Sequence, residues 1–121
     1  MGYTILIVED NDDLRALAAI LLQGAGYHVL LAGSGEDGLR LLGEYAVDLL
    51  IQDIRMPGIN GWEVCRRLRA DPRTAKLPVL VCSVRQPGEL EEAETALADG
   101  FLRKPFMREE LLKAVQQLIG G

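Results

Sequence analysis

Short apolar runs alternate with helix-patterned segments five times along this chain, and that alternation constrains its fold more than any other feature. Thr4 to Val8 reads as a short apolar strand of the kind covered on both faces. Leu14 to Leu22 carries helical spacing, with Asn11 to Asp13 supplying a cap and N-terminal acids and Gly24 and Gly26 ending it. Tyr27 to Ala32 is the second strand, and Glu36 to Tyr45 a helix with Leu39, Leu41 and Leu42 on its apolar side. Val47 to Ile51 is the third strand and runs into Gln52-Asp53; Met56-Pro57-Gly58 then breaks the chain. Gly61 to Ala70 is the third helix, Val79 to Cys82 the fourth strand, and Pro87-Gly88 opens a helix from about Glu89 to Ala98. Phe101 to Arg103 is a short fifth strand, and Arg108 to Ile119 a last amphipathic helix. Five βα units imply an α/β fold: one domain, residues 1–121, built as a doubly wound parallel sheet with helices on both faces. With 49% hydrophobic and 26% charged residues, the chain can fill such a core.

Sheets of this kind bind ligands at the carboxyl ends of their strands. The first strand here ends in Glu9-Asp10, the third in Asp53, the fourth in Ser83 and the fifth in Lys104-Pro105. Three carboxylates, a hydroxyl and an ammonium thus converge on one edge. Three ionised carboxylates repel one another unless a cation joins them. A hard, oxygen-seeking ion fits, and Mg²⁺ takes one or two carboxylates together with waters and phosphate oxygens. The same ion would neutralise a phosphoryl group in transfer, with a carboxylate as nucleophile, Lys104 contacting it and Ser83 donating a hydrogen bond. Chain order alone does not single out which acid is the nucleophile.

Ile5-Leu6-Ile7-Val8-Glu9-Asp10, Asp53-Ile54-Arg55-Met56-Pro57-Gly58 with Gly61, Ser83, and Phe101-Leu102-Arg103-Lys104-Pro105-Phe106 together resemble the response-regulator receiver domain of two-component signalling. The resemblance runs over essentially the whole chain. It implies the flavodoxin-like strand order 2-1-3-4-5. Asp53 matches the phosphoacceptor, and Glu9 and Asp10 the acidic pair that holds Mg²⁺ together with Asp53 and the Arg55 backbone carbonyl. Ser83 and Lys104 match the hydroxyl and lysine positions, and Phe101 the aromatic switch that turns inward when the hydroxyl moves toward the phosphoryl group. A histidine kinase or histidine phosphotransfer protein is the implied donor. The fourth helix, fifth strand and last helix form the implied face toward a downstream protein or output domain, and the domain is a phosphoacceptor rather than an enzyme.

Some positions depart from the commonest pattern. Val84 follows Ser83 where a small Ala is frequent, and with Arg55 and Arg85 it is expected to tune phosphate lifetime. Phe101 lacks the hydroxyl of a Tyr, so its switching would rest on apolar burial. Leu97 and Ala98 stand where a Gly-Ala pair is frequent, so the fourth helix is expected to end differently.

Two rival readings compete. Gly33-Ser34-Gly35-Glu36-Asp37-Gly38 matches a dinucleotide-binding fingerprint, with Asp53 about 20 residues on. Yet Glu36 and Asp37 would place negative charge where a pyrophosphate meets the helix N-terminus, and Glu9, Asp10, Ser83 and Lys104 would go unexplained. A Mg²⁺-dependent phosphatase working through an aspartyl phosphate of the dehalogenase type normally ends its first strand in two Asp residues two apart, which Glu9-Asp10-Asn11 does not supply.

The charge balance of 13 basic and 18 acidic residues, net −5, argues against direct nucleic-acid binding. Arg66, Arg67 and Arg69 read as a solvated helix face. No apolar run approaches the roughly 20 residues that span a bilayer, so membrane insertion is not expected. Cys65 and Cys82 fit no metal pattern and read as reduced, buried thiols of a cytoplasmic protein, either stand-alone or part of a longer one.

Overall fold

The computed structural model describes residues 2–84 and 92–120. Arg85 and the Pro87-Gly88 helix start lie outside the described residues. The elements run β1 (Thr4–Val8), α1 (Asp12–Gly24), β2 (His28–Ala32), α2 (Gly35–Glu44), β3 (Leu49–Asp53), α3 (Gly61–Ala70), β4 (Val79–Ser83), α4 (Glu92–Thr95), β5 (Gly100–Arg103) and α5 (Arg108–Ile119). All pairings are parallel and the order is β2-β1-β3-β4-β5. The three inner strands are buried almost throughout, whereas β2 and β5 expose residues at the two edges. This is why the inner strands read as continuous apolar runs.

Two apolar layers sandwich the sheet. On one face Ala18, Ala19 and Leu22 of α1 and Leu111 and Val115 of α5 pack on Ile5, Ile7, Ile51 and Leu80. On the other, Leu42 of α2 and Trp62, Val64, Cys65 and Leu68 of α3 pack on Leu6, Val8, Leu50 and Val81. Alternation along each strand sends neighbouring residues to opposite layers. Gly38 permits the close approach of α2: a Cβ there would lie 2.7 Å from Val8 Cγ2.

Three helices start from the loops that leave the carboxyl edge of the sheet, each with a side-chain cap. Asn11 Oδ1 accepts from Leu14 N at 2.9 Å, Ser34 Oγ from Asp37 N at 3.1 Å and Asn60 Oδ1 from Glu63 N at 3.0 Å. These bonds satisfy amide groups that the first helical turn leaves unpaired. They also fix the angle at which each loop crosses the sheet edge.

Arg69 corrects one sequence expectation. Arg66 and Arg67 are half-exposed and pair with Glu63, as a solvated face should. Arg69 instead folds inward, donating to Leu97 O at 3.2 and 3.0 Å, Ala75 O at 3.0 Å, Leu77 O at 2.7 Å and Asp99 Oδ2 at 2.9 Å. One guanidinium thereby ties α3 to the segments entering β4 and β5. Asp99 Oδ2 also accepts from Val79 N at 2.8 Å, so the tie reaches the first residue of β4.

Candidate functional site

β1 ends one residue short of Glu9, whose amide still pairs with Ala32 O at 3.0 Å. Glu9 is therefore held as an extension of the strand and is 6% exposed. Its carbonyl accepts from Arg15 Nη1 at 2.8 Å, and its Oε2 accepts from Asn11 N at 3.1 Å. Asp10, the next residue, turns to solvent. On the neighbouring strand, β3 closes with Asp53, 5% exposed. The register Val8 to Gln52 brings the following residues, Glu9 and Asp53, side by side.

Lys104, one residue beyond β5, joins the two acids. Its Nζ donates to Glu9 Oε1 at 2.6 Å and to Asp53 Oδ1 at 2.9 Å. Its backbone amide donates to Ser83 O at 2.8 Å, which locks the lysine to the end of β4. Ser83 and Arg103 are register partners, so the hydroxyl and the ammonium leave adjacent strands at one level.

Burial raises the Asp53 carboxyl to about 6, and the Glu9 charge adds to the rise, while the bond and attraction from Lys104 pull it back only in part. Burial also works against the Lys104 ammonium, but its hydrogen bonds to Glu9 and Asp53 and their negative fields outweigh it and hold the group above its ordinary value. The ammonium therefore stays charged, and the electrostatic cost falls on Asp53.

One carboxylate oxygen from each of Glu9, Asp10 and Asp53 lies within 4.8 Å of the others. This all-oxygen set, with no imidazole or thiolate among its members, fits a hard divalent cation such as Mg²⁺. A single lysine offsets only part of the negative charge of three ionised carboxylates. The acids open into a cleft of about 280 Å³ lined by Glu9, Asp10, Asn11, Leu14, Asp53, Arg55, Ser83, Val84 and Lys104. Val84 is 55% exposed at its rim.

The structure thus gathers Glu9, Asp10, Asp53, Arg55, Ser83 and Lys104 around one cleft. Phe101 stands apart from it: partly buried, it packs against the Trp62 and Val81 layer, one strand over from Val81. Among the described residues the fourth helix runs over Glu92–Thr95, so it ends before the expected Ala98. The glycine pattern at Gly33 to Gly38 serves packing rather than nucleotide binding. Gly35 and Gly38 lie on the buried side of α2, where added Cβ atoms would meet Ile59 and Val8, and Glu36 and Asp37 occupy the first turn.

Two contributors were not anticipated from sequence. Arg15 grips the Glu9 carbonyl, and Gln52, fully buried, donates from Nε2 to the Asp53 carbonyl at 2.8 Å. A lone amide inside an apolar strand was the available signal for Gln52.

Comparison with known proteins assigns the family. Residues 5–116 match the response regulator receiver domain. The transcriptional regulatory protein AfsQ1 of Streptomyces coelicolor is 44% identical over 103 residues, which cover 84% of this chain and 44% of AfsQ1. The chain spans about half the length of this and the next curated relatives. A putative response regulator from Chloroflexus aurantiacus superposes with a TM-score of 0.92 at 34% identity, covering 100% of both chains. The response regulator protein TrrA of Thermotoga maritima superposes with a TM-score of 0.86 at 30% identity, covering 96% of this chain and 98% of TrrA. The cleft therefore lies in a fold and sequence pattern already known, and the chain belongs to the response regulator receiver domain family.

Proposed function

We propose that this domain accepts a phosphoryl group on Asp53 from a phosphohistidine on a histidine kinase or phosphotransfer protein, and that the modified form changes conformation to act on a partner. The observation that carries the reading is the Lys104 ammonium, held between Glu9 and Asp53 beside Asp10 in one open cleft. TrrA, a structural relative, has been solved with Mg(2+)-BeF and in complex with the histidine kinase ThkA, which supports both the metal and the donor class.

In this reading an Asp53 oxygen attacks phosphorus, the donor P–N bond breaks, and its electron pair returns to the imidazole nitrogen, which takes up a proton. Lys104 fixes the rotation of the Asp53 carboxylate through Oδ1 and then offers its charge to a phosphoryl oxygen. Ser83 donates its hydroxyl to another. Glu9, Asp10, Asp53 and the Arg55 carbonyl would hold Mg²⁺, which would supply positive charge to the phosphoryl oxygens when bound. Glu9 would take its share with Oε1 already bonded to Lys104 and Oε2 to Asn11 N, so the exposed Asp10 would be the freer ligand.

Phe101 moves inward as Ser83 engages the phosphoryl group, and the α4–β5–α5 face carries the change to a downstream protein or output domain. AfsQ1 is a transcriptional regulator about twice as long as the matched region, so any contact with DNA would belong to other residues than these, which carry a net charge of −5. Residues 1–121 act as one receiver unit, a signalling acceptor that does not turn over external substrates. No helix of the described residues is long and apolar enough to cross a membrane, which accords with a cytoplasmic setting.

Incubation with Mg²⁺ and acetyl phosphate, followed by intact-mass measurement, tests the reading. Wild-type protein gains one phosphoryl group and Asp53→Asn gains none. Equal labelling of the two would remove Asp53 from the acceptor role.

A further inference from the structure

The amide of Gln52 is an unexpected group in its place. It is fully buried at the next-to-last position of β3, and its register partners on either side are Val8 of β1 and Val81 of β4. Neither neighbour offers a hydrogen bond, and the surrounding layer is Leu6, Leu50, Trp62 and Val64. The Nε2 group donates to Asp53 O at 2.8 Å. Only the amino end of the amide can face a carbonyl oxygen, which fixes the orientation of the group. Oε1 is then buried and has no hydrogen-bond partner among the described residues. Burying half an amide unpaired is unfavourable, and an apolar side chain of similar size would fill the same volume without that cost.

The carbonyl that Gln52 holds is that of Asp53 itself. α3 closes on the same peptide: a side chain at Gly61 would run into the Asp53 carbonyl oxygen, and Gly61 N donates to Ile54 O at 3.0 Å. The Asp53–Ile54 peptide is thereby held by the Gln52 amide and by the first residue of α3. Its orientation sets both the direction of the Asp53 side chain and the path of the backbone toward the Arg55 carbonyl.

We propose that Gln52 is a positioning residue: it clamps the Asp53 peptide so that the Asp53 carboxylate and the Arg55 carbonyl face the cation site together, at some expense of fold stability. The inference rests on the reading of Asp53 as the acceptor. It gives Gln52 a role in metal affinity and transfer rate without contact to metal or phosphate.

The test uses Gln52→Met and Gln52→Leu in the full chain, two apolar replacements of similar volume. Melting temperature is measured in EDTA, Mg²⁺ affinity by calorimetry, and the rate of phosphorylation by acetyl phosphate as a function of donor concentration at saturating Mg²⁺. Both variants are expected to melt no lower than wild type. Their Mg²⁺ affinity should be about tenfold weaker, the usual size of an effect from a group that orients a ligand. The maximal phosphorylation rate should fall while half-saturation by acetyl phosphate stays put. A purely structural role would lower the melting temperature and leave affinity alone. If wild type labels on Asp53 and both variants bind Mg²⁺ and label within twofold of it, the positioning role is wrong and the acceptor reading stands. If wild type itself takes no phosphate, both fall together.

Discussion

Lys104 Nζ lies 2.9 Å from Asp53 Oδ1, across 51 positions of sequence, and the same nitrogen lies 2.6 Å from Glu9 Oε1. Two buried carboxylates share one cation, so each depends on it more than an exposed pair would.

Replacing Lys104 by Met should therefore affect both stability and chemistry. In EDTA, Glu9 and Asp53 lose their common partner, and urea unfolding should show a loss of about 3 kcal/mol. With saturating Mg²⁺, phosphorylation by acetyl phosphate should slow about 100-fold, the scale of losing one preorganised charge at a reacting centre. A rate within threefold of wild type would leave Lys104 with a structural role alone.

The raised Asp53 carboxyl predicts a pH dependence in the metal-free protein. Its folded value is about 6 against an ordinary 3.8, so the folded state binds the proton more tightly than the unfolded chain. The stabilising contribution is full below 3.8 and is lost as pH rises through about 6. Asp53→Asn, which stays neutral, should thus be more stable than wild type at pH 7.5 in EDTA by about 2 kcal/mol. The advantage should shrink as pH falls from about 6 toward 4. Paired urea curves at pH 7.5 and 4.5 check this; an advantage independent of pH would place its origin outside the titration.

Metal should act in the opposite sense. Mg²⁺ at ten times its dissociation constant should stabilise wild type by about 1.4 kcal/mol. Asp10→Asn removes the exposed carboxylate of the cluster and should abolish most of that gain while leaving the metal-free melting temperature nearly unchanged. Scanning calorimetry with and without Mg²⁺ measures both numbers.

Arg69→Ala strips partners from the Leu97, Ala75 and Leu77 carbonyls at once. Loss of about 2–3 kcal/mol is expected from bonds to a charged donor and from carbonyls left partly buried. Arg69→Lys should recover little, because a point charge does not reproduce the planar fork. Denaturant midpoints for the two variants decide it.

The layers and the order of elements were legible in sequence because inner strands and amphipathic helices leave distinct periodicities. α3 and α5 match the expected spans, Gly61 to Ala70 and Arg108 to Ile119. The third strand begins at Leu49 rather than Val47, since Asp48 is engaged with Thr4 through both backbone and side chain before the ladder starts. The five βα units did not by themselves order the strands; that came from the family resemblance. The acids, hydroxyl and lysine were readable as residues at strand ends, where chain direction alone decides position. Arg69 was not, because a basic residue among other basic residues on a helix looks alike whether it faces water or a neighbouring loop. Gln52 escaped for the converse reason: apolar neighbours hid a polar group whose partner is backbone.

The groups lining the cleft leave four loops that follow four different strands, and none lies close to all the others in sequence. A one-residue slip of β3 against its neighbours would carry Asp53 to the opposite layer and deprive Lys104 of that carboxylate. A misassembled copy would thus be chemically mute, incapable of receiving a message it could garble, so fidelity of signalling in such a domain is inherited from fidelity of strand pairing.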